Sequence, residues 1–106
     1  FEDAVFSKIL SVNTIYFWEE PHLILTELNR VLQRDGKVVF AIRTKATMAQ
    51  MPFTEYGFIK YSLSELSLLL AEHFTIIDAS ERSEPTYLFN NKPMLLENAI
   101  VVCEKR

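Results

Sequence analysis

Lys37-Val38-Val39-Phe40-Ala41-Ile42 is a short, nearly continuous apolar run. A strand wetted on one side alternates apolar and polar residues, whereas one that is apolar throughout is covered on both faces, as in a parallel sheet. The run follows directly on a helical pattern. Glu19-Glu20-Pro21 reads as the helix start, because proline suits the first helical position and acids favour the positive end of the helix dipole. From Pro21 to Leu32, the residues Ile24, Leu28, Val31 and Leu32 form one apolar face, with Glu27, Asn29 and Arg30 off it. Arg30 and Arg34 lie near the negative end, and Gly36 is expected to close the helix. Upstream, Phe6 to Val12 is a β-rich, partly alternating run stopped by Asn13-Thr14. Strand, helix and strand with short connections make a βαβ unit with a right-handed crossover.

Downstream, Arg43 to Tyr61 is irregular, with a helical turn or two over Lys45 to Met51. Ser62-Leu63-Ser64-Glu65 is a capping-box pattern that opens a second helix to Glu72, with Leu63, Leu66, Leu69 and Leu70 inward. Phe74 to Ala79 is the third strand and Asn98 to Glu104 the fourth. Glu81 to Leu96 holds two prolines and Asn90-Asn91 and reads mainly as loop, with Thr86 to Phe89 able to extend a strand.

The composition sets limits. One hundred and six residues, 49% hydrophobic and 24% charged, suit one packed domain. A net charge of −3 gives no electrostatic reason to bind nucleic acid or an anionic membrane. No apolar run approaches the ~20 residues that span a bilayer. The one cysteine, Cys103, excludes an intramolecular disulfide and a Cys-rich metal site, and the composition fits a reducing, cytoplasmic setting. Phe1-Glu2-Asp3 is neither a signal peptide nor a natural initiator, so the chain is expected to be cut from something longer or to lack its first residues. A nucleotide-cradling loop needs clustered glycines, and the only glycines are Gly36 and Gly57.

Phe6-Ser7-Lys8-Ile9 followed by Ser11-Val12-Asn13-Thr14-Ile15-Tyr16-Phe17-Trp18 resembles the motif around the fourth strand of type 11-like class I S-adenosylmethionine-dependent methyltransferases. Leu28-Asn29-Arg30-Val31-Leu32 with Gly36-Lys37-Val38-Val39 is similar to that family's helix and glycine turn into the fifth strand. Pro52-Phe53-Thr54, Tyr56-Gly57-Phe58 and the Ser-capped helix also match its pattern. Two departures stand out. Ser7 replaces the family's usual Asp, and Gln33-Arg34-Asp35-Gly36 replaces its Lys-Pro-Gly-Gly turn.

The resemblance implies an α/β fold: a partial Rossmann-like methyltransferase sheet of about four strands, the last antiparallel, with two main helices. Residues 1–106 would be the C-terminal half of the domain. The glycine-rich loop, the ribose-binding acid and the adenine-framing turn would belong to an N-terminal half absent from this chain. S-adenosylmethionine would serve the intact fold, and this chain alone would bind none. In such sheets ligands sit beyond the carboxyl ends of the parallel strands. Ser11, Val12, Asn13 and Thr14 then become candidate cofactor contacts, although Asn and Thr also cap turns routinely.

Tyr16, Phe17 and Trp18 are candidates for the wall of a substrate pocket or for packing of the loop, and packing is the expectation for Phe17. Met48, Met51, Phe53, Tyr56 and Phe58 could form a substrate lid or a satellite core under a long loop. His22 and His73 have no companion at ligand spacing, so surface roles and no metal are expected. Arg43, at the end of the buried run, could pair with an acid near the site, a structural ion pair being the plainer expectation.

Two crossovers in the same direction should place both helices on one face of the sheet. The other face would be bare, and the first strand would be an unpaired edge. Self-association, or binding of the missing half, through that face or edge is therefore expected. Three functions compete: the substrate-side half of a small-molecule methyltransferase, inactive alone; a non-catalytic oligomerisation or partner-binding module derived from one; or an unrelated α/β binding domain.

Overall fold

The computed structural model describes residues 2–50, 59–84, 87–89, 92–94 and 96–105. In chain order the elements are β1 (Phe6–Val12), a 3-10 turn (Ile15–Phe17), α1 (Pro21–Val31), β2 (Leu32–Arg43), α2 (Lys45–Met48), α3 (Leu63–Ala71), β3 (Phe74–Ser83), β4 (Tyr87–Phe89), β5 (Lys92–Met94) and β6 (Glu97–Lys105). Four strands form one mixed sheet in the order β1-β2-β6-β3. β1 runs parallel to β2, and β6 runs antiparallel to both of its neighbours. The expected α/β class and the antiparallel last strand are both present.

The alternation along β2 divides the sheet into two unlike faces. Val38, Phe40 and Ile42 are buried, and so are Ala99, Val101 and Cys103 of β6. They share one core with Leu25 of α1, Leu66 and Leu70 of α3, and Phe74 of β3. Both long helices therefore lie on the same face, as two same-handed crossovers require. Full burial of each of these larger side chains stabilises the fold by about 1.5–3 kcal/mol. The rings of Phe40 and Phe74 stand 6.4 Å apart at the centre.

The opposite face carries Leu10 and Val12 of β1 beside Val39 and Ala41 of β2, which pair in turn with Val102 and Ile100 of β6. Among the described residues no helix covers it. Leu10 is 69% exposed and Val12 49%. A register slip between Ile76 and Asp78 adds a bulge to β3 and brings Ile77, itself exposed, to the same side as Asp78. β1 is an edge, bonded to β2 alone in this sheet.

Several expectations need correction. Gly36 does not close α1. The helix stops at Val31, Leu32 caps it with an N–H to the Leu28 carbonyl, and β2 begins at once. Asp35 takes the left-handed conformation with φ 65°, while Gly36 is pressed so close that a Cβ there would meet the Gln33 carbonyl oxygen at 2.7 Å. The buried face of α1 centres on Leu25, with Ile24 and Leu28 only half-buried. Asn29 is not off that face: its side-chain amide donates to the His73 carbonyl at 2.7 Å. β3 does not end at Ala79. It continues to Ser83 because Glu81, Arg82 and Ser83 go on pairing with Ala99, Asn98 and Glu97. Within the expected loop, β4 and β5 form a separate antiparallel pair. The capping box is present as read: the Ser62 hydroxyl accepts from the Glu65 N–H, and the Glu65 carboxylate accepts from the Ser62 N–H, both at 3.1 Å.

Candidate functional site

β1, β2 and β3 all point the same way, so their carboxyl ends meet at one edge of the sheet, where β6 begins. Asn13, Arg43, Glu84 and Asn98 converge there, around a crevice of about 210 Å³ walled by Val12 and Ile100. The Arg43 guanidinium donates through Nη1 to Glu84 Oε2 at 3.2 Å and to Asn98 Oδ1 at 3.4 Å. Asn98 Nδ2 donates to the other carboxylate oxygen of Glu84 at 2.9 Å. The Asn98 hydrogen bond, followed by that of Arg43, holds the Glu84 carboxyl below its usual range. Two backbone bonds extend the ladder past the strand ends and stiffen the cluster: Thr44 N–H to the Glu97 carbonyl at 3.1 Å, and Glu84 N–H to the Leu96 carbonyl at 2.7 Å.

Tyr16 anchors the other side. Its ring is buried, its hydroxyl accepts from the Arg43 N–H, and its proton faces Asn13 Oδ1 at 3.0 Å and the Arg43 carbonyl at 3.3 Å. Burial raises the phenol's pKa, opposed in part by that backbone hydrogen bond and by the Arg43 charge. Asn13 ends β1 in the left-handed conformation, φ 54°, which Asn tolerates better than most residues.

The sequence-predicted residues separate here. Ser11 and Thr14 bond each other through their hydroxyls. Asn13 and Val12 line the crevice. Tyr16 belongs to the core, and its hydroxyl links the ends of β1 and β2. Phe17, expected to pack, is 58% exposed. Trp18 is half-buried with its ring edge-on to Phe40 at 6.4 Å. Met48 is buried in the core. Met51, Phe53, Tyr56 and Phe58 lie outside the described residues.

The cluster of Arg43, Glu84 and Asn98 was missed as a unit. Only Arg43 had been singled out, and its partners stand 41 and 55 residues away in the chain. Burial pushes the Cys103 thiol up to about 12, which leaves it inert. Among the described residues no group of three or more His, Cys, Asp or Glu could hold a metal ion, and no helix is long and apolar enough to cross a membrane.

Of the two glycines, Gly36 lies near the start of β2, hemmed in by the Gln33 carbonyl, and Gly57 lies outside the described residues.

A family model described as a methyltransferase domain matches residues 1–40. No curated protein matches the chain. Among solved structures, a chain of the Haloferax volcanii complex between the Trm112 methyltransferase activator and a methyltransferase superposes with TM-score 0.81 at 12% identity, over 99% of this chain and 56% of that one. An S-adenosylmethionine-dependent methyltransferase of Thermotoga maritima gives 0.74 at 16% identity, over 99% and 58%. The [4+2]-cyclase SpnF gives 0.76 at 17% identity, over 99% and 51%. The chain thus spans about half the length of these structures, and the cyclase shows that the fold alone does not fix the reaction. By its sheet order, its one-sided helices and the match over residues 1–40, this chain carries part of the Rossmann-like fold of the class I S-adenosylmethionine-dependent methyltransferases.

Proposed function

We propose that this chain supplies the acceptor side of an S-adenosylmethionine-dependent methyltransferase whose methyl acceptor is a small molecule. One observation carries the reading: a crevice with built polar groups opens beyond the carboxyl ends of β1 and β2, where ligands of such sheets sit. The cofactor, held by segments outside this chain, would supply the methyl group. Asn13 and the turn from Ser11 to Thr14 would face it, and the exposed ring of Phe17 beside Trp18 would border the acceptor. Methyl transfer needs alignment more than acid–base help, since orientation alone supplies several kcal/mol, up to about 10. The setting would be the reducing cytoplasm.

Calorimetry with S-adenosylmethionine on the chain alone should show no binding tighter than about millimolar, because the gripping turns lie elsewhere. The chain extended by the residues encoded upstream of Phe1 should bind S-adenosylhomocysteine saturably. A start codon directly before Phe1 would sink the reading.

A second reading, a non-catalytic module that self-associates or binds a partner, has an observation of its own. Leu10, Val12 and Ile77 stand exposed on the helix-free face, beside the open edge of β1. Sedimentation should show association at micromolar concentration that Leu10→Lys weakens. A well-folded monomer throughout that range would count against it.

A further inference from the structure

The crevice at the strand ends holds one cation and one anion, and these are fixed in place by each other and by Asn98. Of the Arg43 guanidinium, only Nη1 is engaged among the described residues. Nη2 and Nε still carry N–H donors in the fork geometry that matches a carboxylate. Asn13 spends its carbonyl oxygen on the Tyr16 hydroxyl, which leaves its amide N–H groups as the second donor at the same wall. Glu84 is the acceptor opposite, kept ionised beside Arg43. Val12 and Ile100 give the remaining wall an apolar character. A ligand of single sign meets repulsion from one member of the Arg43–Glu84 pair, whereas a ligand bearing both signs on adjacent atoms can lie antiparallel to it.

We propose that this crevice binds the zwitterionic head group of an α-amino acid, with the carboxylate on Arg43 and Asn13, the ammonium on Glu84, and an apolar side chain along Val12 and Ile100. It rests on the methyltransferase reading only in naming that amino acid as the methyl acceptor. The binding itself needs no cofactor. The same head group occurs on the cofactor's methionyl end, so the test separates the two sources.

The test is a titration of the isotope-labelled chain, read from the methyl resonances of Val12 and Ile100. L-leucine should shift both. Leucinamide, which lacks the carboxylate, and 4-methylpentanoate, which lacks the ammonium, should each bind at least tenfold more weakly. Arg43→Gln should abolish the preference for L-leucine over leucinamide. Glu84→Gln should abolish the preference over 4-methylpentanoate, and this isosteric change at a half-exposed side chain keeps the experiment readable if the Arg43 variant fails to fold. Equal shifts from all three probes, or none from L-leucine at tens of millimolar, would overturn the inference and leave the fold assignment untouched. Displacement of L-leucine by S-adenosylhomocysteine would overturn the acceptor assignment and give the crevice to the cofactor's amino-acid end.

Discussion

His22 and His73 meet through a 2.8 Å hydrogen bond between His22 Nδ1 and His73 Nε2, across 51 residues of sequence. The bond ties the first turn of α1 to the segment that leaves α3, and the Asn29 amide on the His73 carbonyl reinforces the same junction. Two isolated surface imidazoles would contribute nothing to stability. Linked, they should. His22→Phe keeps a ring but removes the bond, and urea unfolding should show a loss of about 0.5–1 kcal/mol, in the range of a half-exposed hydrogen bond. An unchanged midpoint would dissolve the link.

The irregular start of β2, between its pairings at Leu32 and Lys37, makes two neighbouring residues respond oppositely. Asp35 holds φ 65°, a conformation that costs a side-chain-bearing residue about 1 kcal/mol, so Asp35→Gly should leave stability unchanged or raise it by up to about 1 kcal/mol. At Gly36 a methyl group would run into the Gln33 carbonyl, and Gly36→Ala should cost about 1–3 kcal/mol. Thermal melts of the two variants check both signs.

Acid should weaken the fold through specific carboxylates. The Ser62 N–H hydrogen bond holds the Glu65 carboxyl below its ordinary range, and the Asn98 and Arg43 contacts do the same for Glu84. A carboxyl depressed in the folded state contributes stability that is present above its unfolded pKa and lost as pH falls through the folded value. Denaturant midpoints should therefore decline below the usual carboxylate range near pH 4, and Glu84→Gln should flatten part of the decline.

Cys103 offers a reporter of global opening. With its thiol pushed up to about 12 by burial, it should not react with a thiol reagent at pH 8 in the folded chain. Reaction should appear with the same denaturant midpoint as unfolding. Rapid labelling under native conditions would mean that the sheet core opens locally.

Much of this fold was legible from Lys37 to Ile42, because an unbroken apolar strand after an amphipathic helix has few packing solutions. The parallel pair of β1 and β2, the Ser62 capping box and the placement of both helices on one face follow from that run and from local chemistry. The local pattern stops β3 at Ala79 because Glu81 and Arg82 look like loop. Both are strand, paired with Ala99 and Asn98, because β3 is an edge whose outer positions face water. The apolar stripe through Ile24 misses Leu25, because a rotation of one residue decides which side chain of α1 enters the core.

The site was less legible for a different reason. Asn13 and Val12 could be placed by their position at a strand end, but Glu84 and Asn98 gain meaning only from the pairing of β6 between β2 and β3, which no local pattern announces. Met48 looked like a lid residue for its flexibility, yet Thr44 caps α2 and turns that side chain into the core.

The half-wetted sheet also shapes how this chain comes apart. Leu10, Val12, Val39 and Ile100 already have water within reach before denaturation begins, so melting adds less newly hydrated hydrocarbon than the polypeptide's length would suggest. The heat-capacity increment should fall below the ~1.2–1.5 kcal/mol/K customary for a hundred residues, the slope against urea should be shallow, and the transition broad. A companion surface laid over those four side chains would steepen all three at once.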